Sequence, residues 1–130
     1  MARVLFVCLH NAGRSQMSRA LLERIAAGRH TADCAGTQPA ERLQPEVVEV
    51  MREIGIDLSG RKPQKLTRAQ AEAADVVVTM GCGDECPVVP GARYLDWDLP
   101  DPRRLDVSRV RALRGEIERR VRVLVDELDG

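Results

Sequence analysis

The sequence predicts an α/β fold in which a parallel β-sheet carries helices on both faces. Stretches typical of strands alternate along the chain with stretches typical of helices, an order that implies right-handed crossovers between parallel strands. The clearest strands, around residues 4–7 and 75–80, are continuous apolar runs, as in strands covered on both faces. The 130 residues fit one core, so we expect a single domain over 1–130.

The first half of the chain predicts two strands and two helices. Residues 3–7 form a buried strand, and apolar residues at helical spacing then predict a helix over 15–27, with Gly28 as its stop. A short second strand is expected over 31–34. The second helix is expected over 45–55, because it begins with a proline and proline suits the first turn of a helix.

The second half of the chain predicts a short helix, two strands and a long final helix. A threonine can cap the short helix over 67–74. The strands follow over 75–80 and 92–95, and a loop is expected over 96–104. Apolar residues at helical spacing predict the last helix over 107–128. We expect the many arginines of this helix to form a solvated face with acidic neighbours.

Residues with reactive side chains follow three of the predicted strands. Cys8 follows the first strand, Cys82 the third and the segment 96–101 the fourth. In parallel α/β sheets, ligands bind beyond the carboxyl ends of the strands. The sequence therefore predicts that these residues lie at one edge of the sheet.

The stretch from Cys8 to Gln16 predicts an oxyanion site. If residues 9–14 form a tight loop between a buried strand and a helix, their N–H groups converge on one point that binds anions. The residues expected to bind the oxyanion are Leu9, His10, Asn11, Ala12, Gly13 and Arg14. The thiolate of Cys8 is favoured beside these donors, which predicts a nucleophile, and Ser15 can donate its hydroxyl to it. The guanidinium of Arg14 suits two oxygens of a tetrahedral oxyanion. The alternative is an inert buried cysteine beside a solvated arginine.

A second pair of cysteines and one aspartate complete the candidate residues. Cys82 and Cys86 are four residues apart, a separation that could admit a disulfide, and glycines surround them. Buried filler and a zinc site are the alternatives, but zinc needs two further ligands that the sequence does not offer, so no metal is predicted. Asp101 could protonate a departing oxygen, and the alternative is that Asp101 and Pro102 only form a turn.

The composition excludes several classes of partner. Twenty basic and twenty acidic residues cancel, so the net charge argues for neither nucleic acid nor an anionic membrane surface. No apolar stretch approaches the length of a membrane span, and we expect a cytoplasmic protein. In a reducing cytosol, cysteines that are not buried filler tend to be catalytic or metal-bound, and the uneven spacing here argues against disulfide staples. We expect His10 and His30 at the rim and the surface, and Cys34 in packing.

Residues 8–17 resemble the arsenate reductases built on the low-molecular-weight protein tyrosine phosphatase fold. The glutamine after the serine is more typical of the reductases than of the phosphatases. Residues 34–37, the strand residues 77–80 and the pair Asp101 and Pro102 also match, and the similarity covers nearly the whole chain. The resemblance implies a four-stranded parallel sheet flanked by helices.

The resemblance also implies a reaction. Cys8 would attack arsenate held by the loop amides and Arg14, and Asp101 would assist the loss of hydroxide. Cys82 would then attack Cys8, releasing arsenite and leaving a disulfide, and Cys86 would attack Cys82. Thioredoxin would reduce the resulting pair, or mycothiol with a mycoredoxin as in related actinobacterial enzymes, and no bound cofactor is implied. The alternative function is that of a low-molecular-weight protein tyrosine phosphatase, because the same loop and aspartate would serve both reactions.

Overall fold

The computed structural model describes residues 1–81 and 90–130, and within them strands and helices follow each other in the predicted order. The strands are β1 (Arg3–Cys8), β2 (Thr31–Gly36), β3 (Val76–Thr79) and β4 (Arg93–Asp96). The helices are α1 (Arg14–Ala26), α2 (Pro45–Arg52), α3 (Arg68–Ala73) and α4 (Val107–Asp129), with a short 3-10 helix over Pro102–Arg104.

The four strands form one parallel sheet in the order β2-β1-β3-β4. The chain leaves β1 for β2 on one side and later returns to β3 on the other side of β1. The connections therefore diverge at the carboxyl end of β1, which is where open parallel sheets bind their ligands. The predicted four-stranded α/β fold is confirmed, and the residue that ends β1 is Cys8.

Both faces of the sheet are covered, as the apolar strands predict. Alternate side chains of β1 point to opposite faces, so Phe6 enters a large cluster with α1, α2 and α4, whereas Leu5 and Val7 enter a smaller cluster beneath α3. The Phe6 ring packs against Trp97 with 5.8 Å between ring centroids. This contact ties the central strand to the loop after β4.

Several element boundaries and one histidine differ from the sequence prediction. The ladder between β1 and β2 extends β2 to Gly36, because Cys8 pairs with that glycine. The second helix ends at Arg52 rather than at residue 55. His30 was expected at the surface and is buried instead, because its Nδ1 accepts a hydrogen bond from the Ala2 amide at 3.1 Å and its Nε2 lies 2.8 Å from the Asp129 carboxylate.

The arginines of α4 form the predicted solvated face with acidic neighbours. The ion pairs of this face join Arg111 and Arg114 to Glu53, Arg119 and Arg120 to Glu116, and Arg122 to Glu118. Such exposed pairs are worth little individually. No helix in the described part of the chain combines the length and apolar character needed to cross a membrane.

Candidate active site

The loop between β1 and α1 turns its carbonyl groups toward the segment 37–44. Amides of this segment donate to loop carbonyls in four hydrogen bonds of 2.8–3.3 Å, which are Thr37 to Cys8, Gln38 to Leu9, Ala40 to His10 and Gln44 to Ala12. In a planar trans peptide the N–H points away from the preceding carbonyl, so the loop amides face the other way. Among the described residues, no hydrogen bond uses the N–H groups of residues 9–14. These donors are available to an anion.

The sulfur of Cys8 lies within hydrogen-bond distance of the Ser15 hydroxyl. Cys8 is buried, and its Sγ is 3.0 Å from Ser15 Oγ. Ser15 Oγ accepts a hydrogen bond from Asn11 Nδ2 at 2.6 Å. Because the hydroxyl oxygen accepts from Asn11, its own proton can be donated to the sulfur.

Asn11 is held by two donors that the sequence did not reveal. Its Oδ1 accepts from Gln16 Nε2 at 3.0 Å and from the Gln64 amide at 2.9 Å. These bonds fix which end of the Asn11 amide faces Ser15. Asn11 has φ of 51°, a left-handed conformation that asparagine tolerates better than most residues. The asparagine was predicted for its backbone, but its side chain also orders the site.

The guanidinium of Arg14 is buried by the loops that follow β3 and β4. Arg14 is 6% exposed and its Nη1 donates to the Leu99 carbonyl at 3.2 Å. Gly81 follows β3 with φ of 79°, and a Cβ there would lie 2.7 Å from Arg14 Nη1. The glycine therefore leaves room for the guanidinium. The signal of this role in the sequence is that a glycine follows a predicted strand.

Asp101 forms the turn that was the alternative prediction and also lies near Arg14. Its carboxylate accepts from the Arg103 amide at 3.0 Å and from Arg103 Nε at 3.1 Å, which caps the 3-10 helix. Burial opposes ionisation, but the Arg103 hydrogen bonds and the Arg14 charge outweigh it and lower the pKa of Asp101. Pro102 then packs on the loop, because a Cβ at Gly13 would lie 2.6 Å from its Cγ. The turn and the loop between β1 and α1 therefore form one unit.

Two other predicted residues lie beside the site. Cys34 is buried, as expected of a packing residue, and burial raises the pKa of its thiol against the opposing hydrogen bonds from Asn11 and Arg19. His10 is half-buried at the rim, with Nδ1 at 3.0 Å from the Gln38 carbonyl oxygen. Among the described residues, the hydrogen bond of the Cys8 sulfur is with Ser15 and not with either of these side chains.

Cys82 and Cys86 lie outside the residues that the structure describes, so their relation to Cys8 stays a prediction from the sequence. Within residues 1–81 and 90–130, no three His, Cys, Asp or Glu side chains come together as metal ligands would.

Comparison with known proteins matches nearly the whole chain. The family model described as low molecular weight phosphotyrosine protein phosphatase matches residues 3–130. A provisionally assigned arsenate reductase of Halobacterium salinarum is 43% identical over 129 residues, which cover 95% of this chain and 91% of that protein. The glutaredoxin arsenate reductase of Synechocystis is 32% identical over 131 residues, covering 98% of this chain and 99% of that protein.

A solved structure has the same fold as this chain. The thioredoxin-dependent arsenate reductase of Corynebacterium glutamicum superposes with a TM-score of 0.85 at 40% identity, covering 99% of this chain. The match spans 62% of that longer chain, which is less than two thirds of it. The predicted resemblance to arsenate reductases of this fold is confirmed, and the chain belongs to the low molecular weight phosphotyrosine protein phosphatase family.

Proposed function

We propose that this protein reduces arsenate to arsenite, with Cys8 as the nucleophile. The observation that carries the proposal is the Cys8 sulfur 3.0 Å from the Ser15 hydroxyl, beside loop amides that have no partner among the described residues. A thiolate facing an oxyanion cradle can attack a bound tetrahedral oxyanion. The two relatives and the solved structure that carry the name of arsenate reductase favour arsenate as that oxyanion.

In the first step, Cys8 forms a bond to the arsenic of arsenate held by the loop amides and Arg14. One As–O bond breaks, and the oxygen leaves as water after taking a proton from Asp101. The lowered pKa of Asp101 favours its ionised carboxylate. Binding of a negatively charged oxyanion beside it would raise that pKa and favour the protonated form that the step requires.

In the second step, Cys82 attacks the Cys8 sulfur. The S–As bond breaks, its electron pair reduces arsenic from the pentavalent to the trivalent state, and arsenite leaves while a disulfide joins the two cysteines. Cys86 then attacks Cys82, which frees Cys8 and leaves a disulfide between Cys82 and Cys86. Both later cysteines lie outside the described residues, so the support for this relay is their position in the sequence.

An external thiol returns the final disulfide to the reduced state. We propose thioredoxin in preference to mycothiol with a mycoredoxin or to glutaredoxin. The name of the 40% identical structure, a thioredoxin-dependent enzyme, supports this choice, whereas the 32% identical relative is named for glutaredoxin. Because the cycle consumes reduced thiols, we place the protein in the cytoplasm. No bound cofactor enters the cycle.

The second candidate function is hydrolysis of phosphotyrosine. The family description favours it, and Cys8, Arg14 and Asp101 would serve phosphate transfer equally well. Phosphate hydrolysis does not need Cys82 and Cys86, so the behaviour of these two cysteines separates the two functions.

The test is arsenate-dependent NADPH oxidation with thioredoxin and thioredoxin reductase, run beside mycothiol and glutaredoxin systems and beside hydrolysis of an aryl phosphate. We expect Cys8→Ser to abolish reduction and Cys82→Ser to stop after at most one adduct. Cys86→Ser would keep activity with a small thiol and lose it with thioredoxin. Cys34→Ser is the matched control and retains turnover, because serine can make the same hydrogen bonds.

Multiple turnovers by Cys82→Ser with thioredoxin would contradict the relay. Fast hydrolysis of the aryl phosphate without NADPH consumption in any thiol system would instead establish the phosphatase.

A further inference from the structure

Gln16 is buried in the first turn of α1, next to the residues that contact the Cys8 sulfur. It is 2% exposed, and its Nε2 donates to Asn11 Oδ1 at 3.0 Å and to the Lys62 carbonyl at 3.3 Å. Both of these oxygens can only accept, so they fix the orientation of the Gln16 amide. The opposite orientation would place Oε1 against two oxygens.

The other end of this amide has no partner. Gln16 Oε1 is buried and accepts no hydrogen bond from the described residues. A buried acceptor without a donor costs free energy, and an apolar side chain of similar length, such as methionine, would avoid that cost. The stability of the fold therefore does not explain a glutamine at this position. A role in the chemistry of a site is another explanation for such an unpaired group.

The donor end of Gln16 begins a series of hydrogen bonds that leads to Cys8. Asn11 Oδ1 accepts from Gln16 Nε2, and Asn11 Nδ2 donates to Ser15 Oγ at 2.6 Å. Ser15 Oγ in turn lies 3.0 Å from the Cys8 sulfur. Hydrogen bonds in such a series polarise one another, so a donor at Asn11 Oδ1 strengthens the donation from Asn11 Nδ2. The series therefore favours donation of the Ser15 proton to the sulfur.

We propose that Gln16 is a positioning residue for the nucleophile, an inference that rests on the proposed reduction of arsenate by Cys8. Gln16 acts through Asn11 and Ser15, which hold the hydroxyl as a donor to the Cys8 sulfur. The Gln64 amide also donates to Asn11 Oδ1 at 2.9 Å, so loss of the glutamine weakens the series without breaking it. The proposed donors to the oxyanion are the loop amides and Arg14. Loss of Gln16 therefore slows the reaction at the sulfur and leaves oxyanion binding unchanged.

The test compares Gln16→Met with the unmodified chain in a single turnover. The full, reduced chain is kept in excess over arsenate, and the release of arsenite is timed at increasing chain concentrations, so no external thiol takes part. We expect the rate at saturation to fall about three- to tenfold, as for the loss of one hydrogen bond. The half-saturating concentration should not change. The urea midpoint should not fall, because methionine also removes the unpaired Oε1.

Gln70→Met is the matched control. Gln70 also donates through its Nε2, to Asp33 at 2.8 Å, and it belongs to the capping box of α3, but its hydrogen bonds do not include Asn11. This variant should lower the urea midpoint and keep the rate, which is the opposite of the pattern expected for Gln16→Met. In a chain that already carries Asn11→Gly, Gln16→Met should lower the rate no further, because Gln16 acts through Asn11.

NMR of the Asn11 side-chain amide gives a readout that needs no turnover. Its Nδ2 protons should move upfield in Gln16→Met, because the hydrogen bond to Ser15 weakens, and they should not move in Gln70→Met. Unchanged Nδ2 resonances in Gln16→Met would overturn the proposal. An unchanged rate, or a rate that falls only together with the urea midpoint, would do the same.

Failure of the proposed reduction gives a different result, because the unmodified chain would then release no arsenite. The rate comparison is in that case made on the first release of the phenol from an aryl phosphate, which also requires attack by Cys8. The NMR comparison stays the same, so the role of Gln16 is decided independently of the substrate.

Discussion

Replacing Asn11 by alanine tests the polar network that holds the loop between β1 and α1. Asn11 is fully buried, and its side chain accepts from Gln16 and the Gln64 amide and donates to Ser15. Alanine removes all three hydrogen bonds and must also adopt the φ of 51°. Asn11→Gly removes the same bonds but tolerates that φ, so the two variants together separate hydrogen bonding from backbone strain.

The magnitude follows from the donors left behind. Without Asn11, one buried N–H of Gln16 loses its acceptor, at roughly 1–3 kcal/mol. The part-buried N–H of Gln64 loses its acceptor as well, but water can replace it at a smaller cost. Left-handed backbone adds about 1–2 kcal/mol for alanine. The greater freedom of glycine in the unfolded chain offsets roughly 0.5–1 kcal/mol of that difference. Because domains are stable by only about 5–15 kcal/mol, both variants lose a large share of the free energy of unfolding.

Urea unfolding followed by far-UV circular dichroism, under reducing conditions, measures these losses. Ala27→Gly is the matched control for strain, because Ala27 already has φ of 48° and lies at the exposed end of α1. The gap between Asn11→Gly and Asn11→Ala should equal the gain of Ala27→Gly over the unmodified chain. If Asn11→Gly unfolds at the midpoint of the unmodified chain, the network does not stabilise the loop and the reasoning is refuted.

Two further substitutions test the space beside the Arg14 guanidinium and the dependence of the free energy of unfolding on pH. Gly81→Ala would place a Cβ 2.7 Å from Arg14 Nη1, so we expect at least a tenfold weaker affinity for phosphate at the loop, measured by NMR titration. Glu53 hydrogen bonds to Arg111, and this bond outweighs desolvation and lowers the pKa of Glu53 to about 2. A carboxyl with a lowered folded-state pKa stabilises the fold above its unfolded-state value, and this stabilisation is lost as pH falls from about 4.5 toward 2. Glu53→Gln would therefore be less stable than the unmodified chain near pH 6, and the difference would vanish at the acid end of thermal unfolding curves.

Each of these substitutions has a control. Gly91→Ala imposes alanine at φ of 88°, and no atom of the described residues lies within 4 Å of the new Cβ. This variant therefore has the backbone strain without a contact to Arg14, and it should keep its affinity for phosphate. Glu41→Gln removes an exposed carboxylate that has no ion pair among the described residues, and its stability should follow the same pH curve as the unmodified chain. Equal loss of affinity in both glycine variants, or a constant offset of Glu53→Gln at every pH, would contradict the two explanations.

The order of elements and the place of the site could be predicted because both depend on local patterns. Apolar runs identify β1 and β3, helical spacing identifies α1 and α4, and parallel strands bring their carboxyl ends to one edge. The loop between β1 and α1 was predicted from the spacing of a cysteine, an arginine and a serine within eight residues of each other. The ends of elements were less predictable, as β2 illustrates, because ladder pairing rather than composition extends it to Gly36.

By itself, then, the sequence determined the α/β fold, and it predicted an oxyanion loop and a candidate nucleophile from residue types a few positions apart. Tertiary structure alone decided that the Gln64 amide is a partner of Asn11 and that the Leu99 carbonyl is a partner of Arg14. The physical reason is that every residue carries the same backbone amide and carbonyl. The residue type therefore does not indicate which amide or carbonyl will contact a side chain 53 or 85 residues away. Only the packing of the loops decides these contacts.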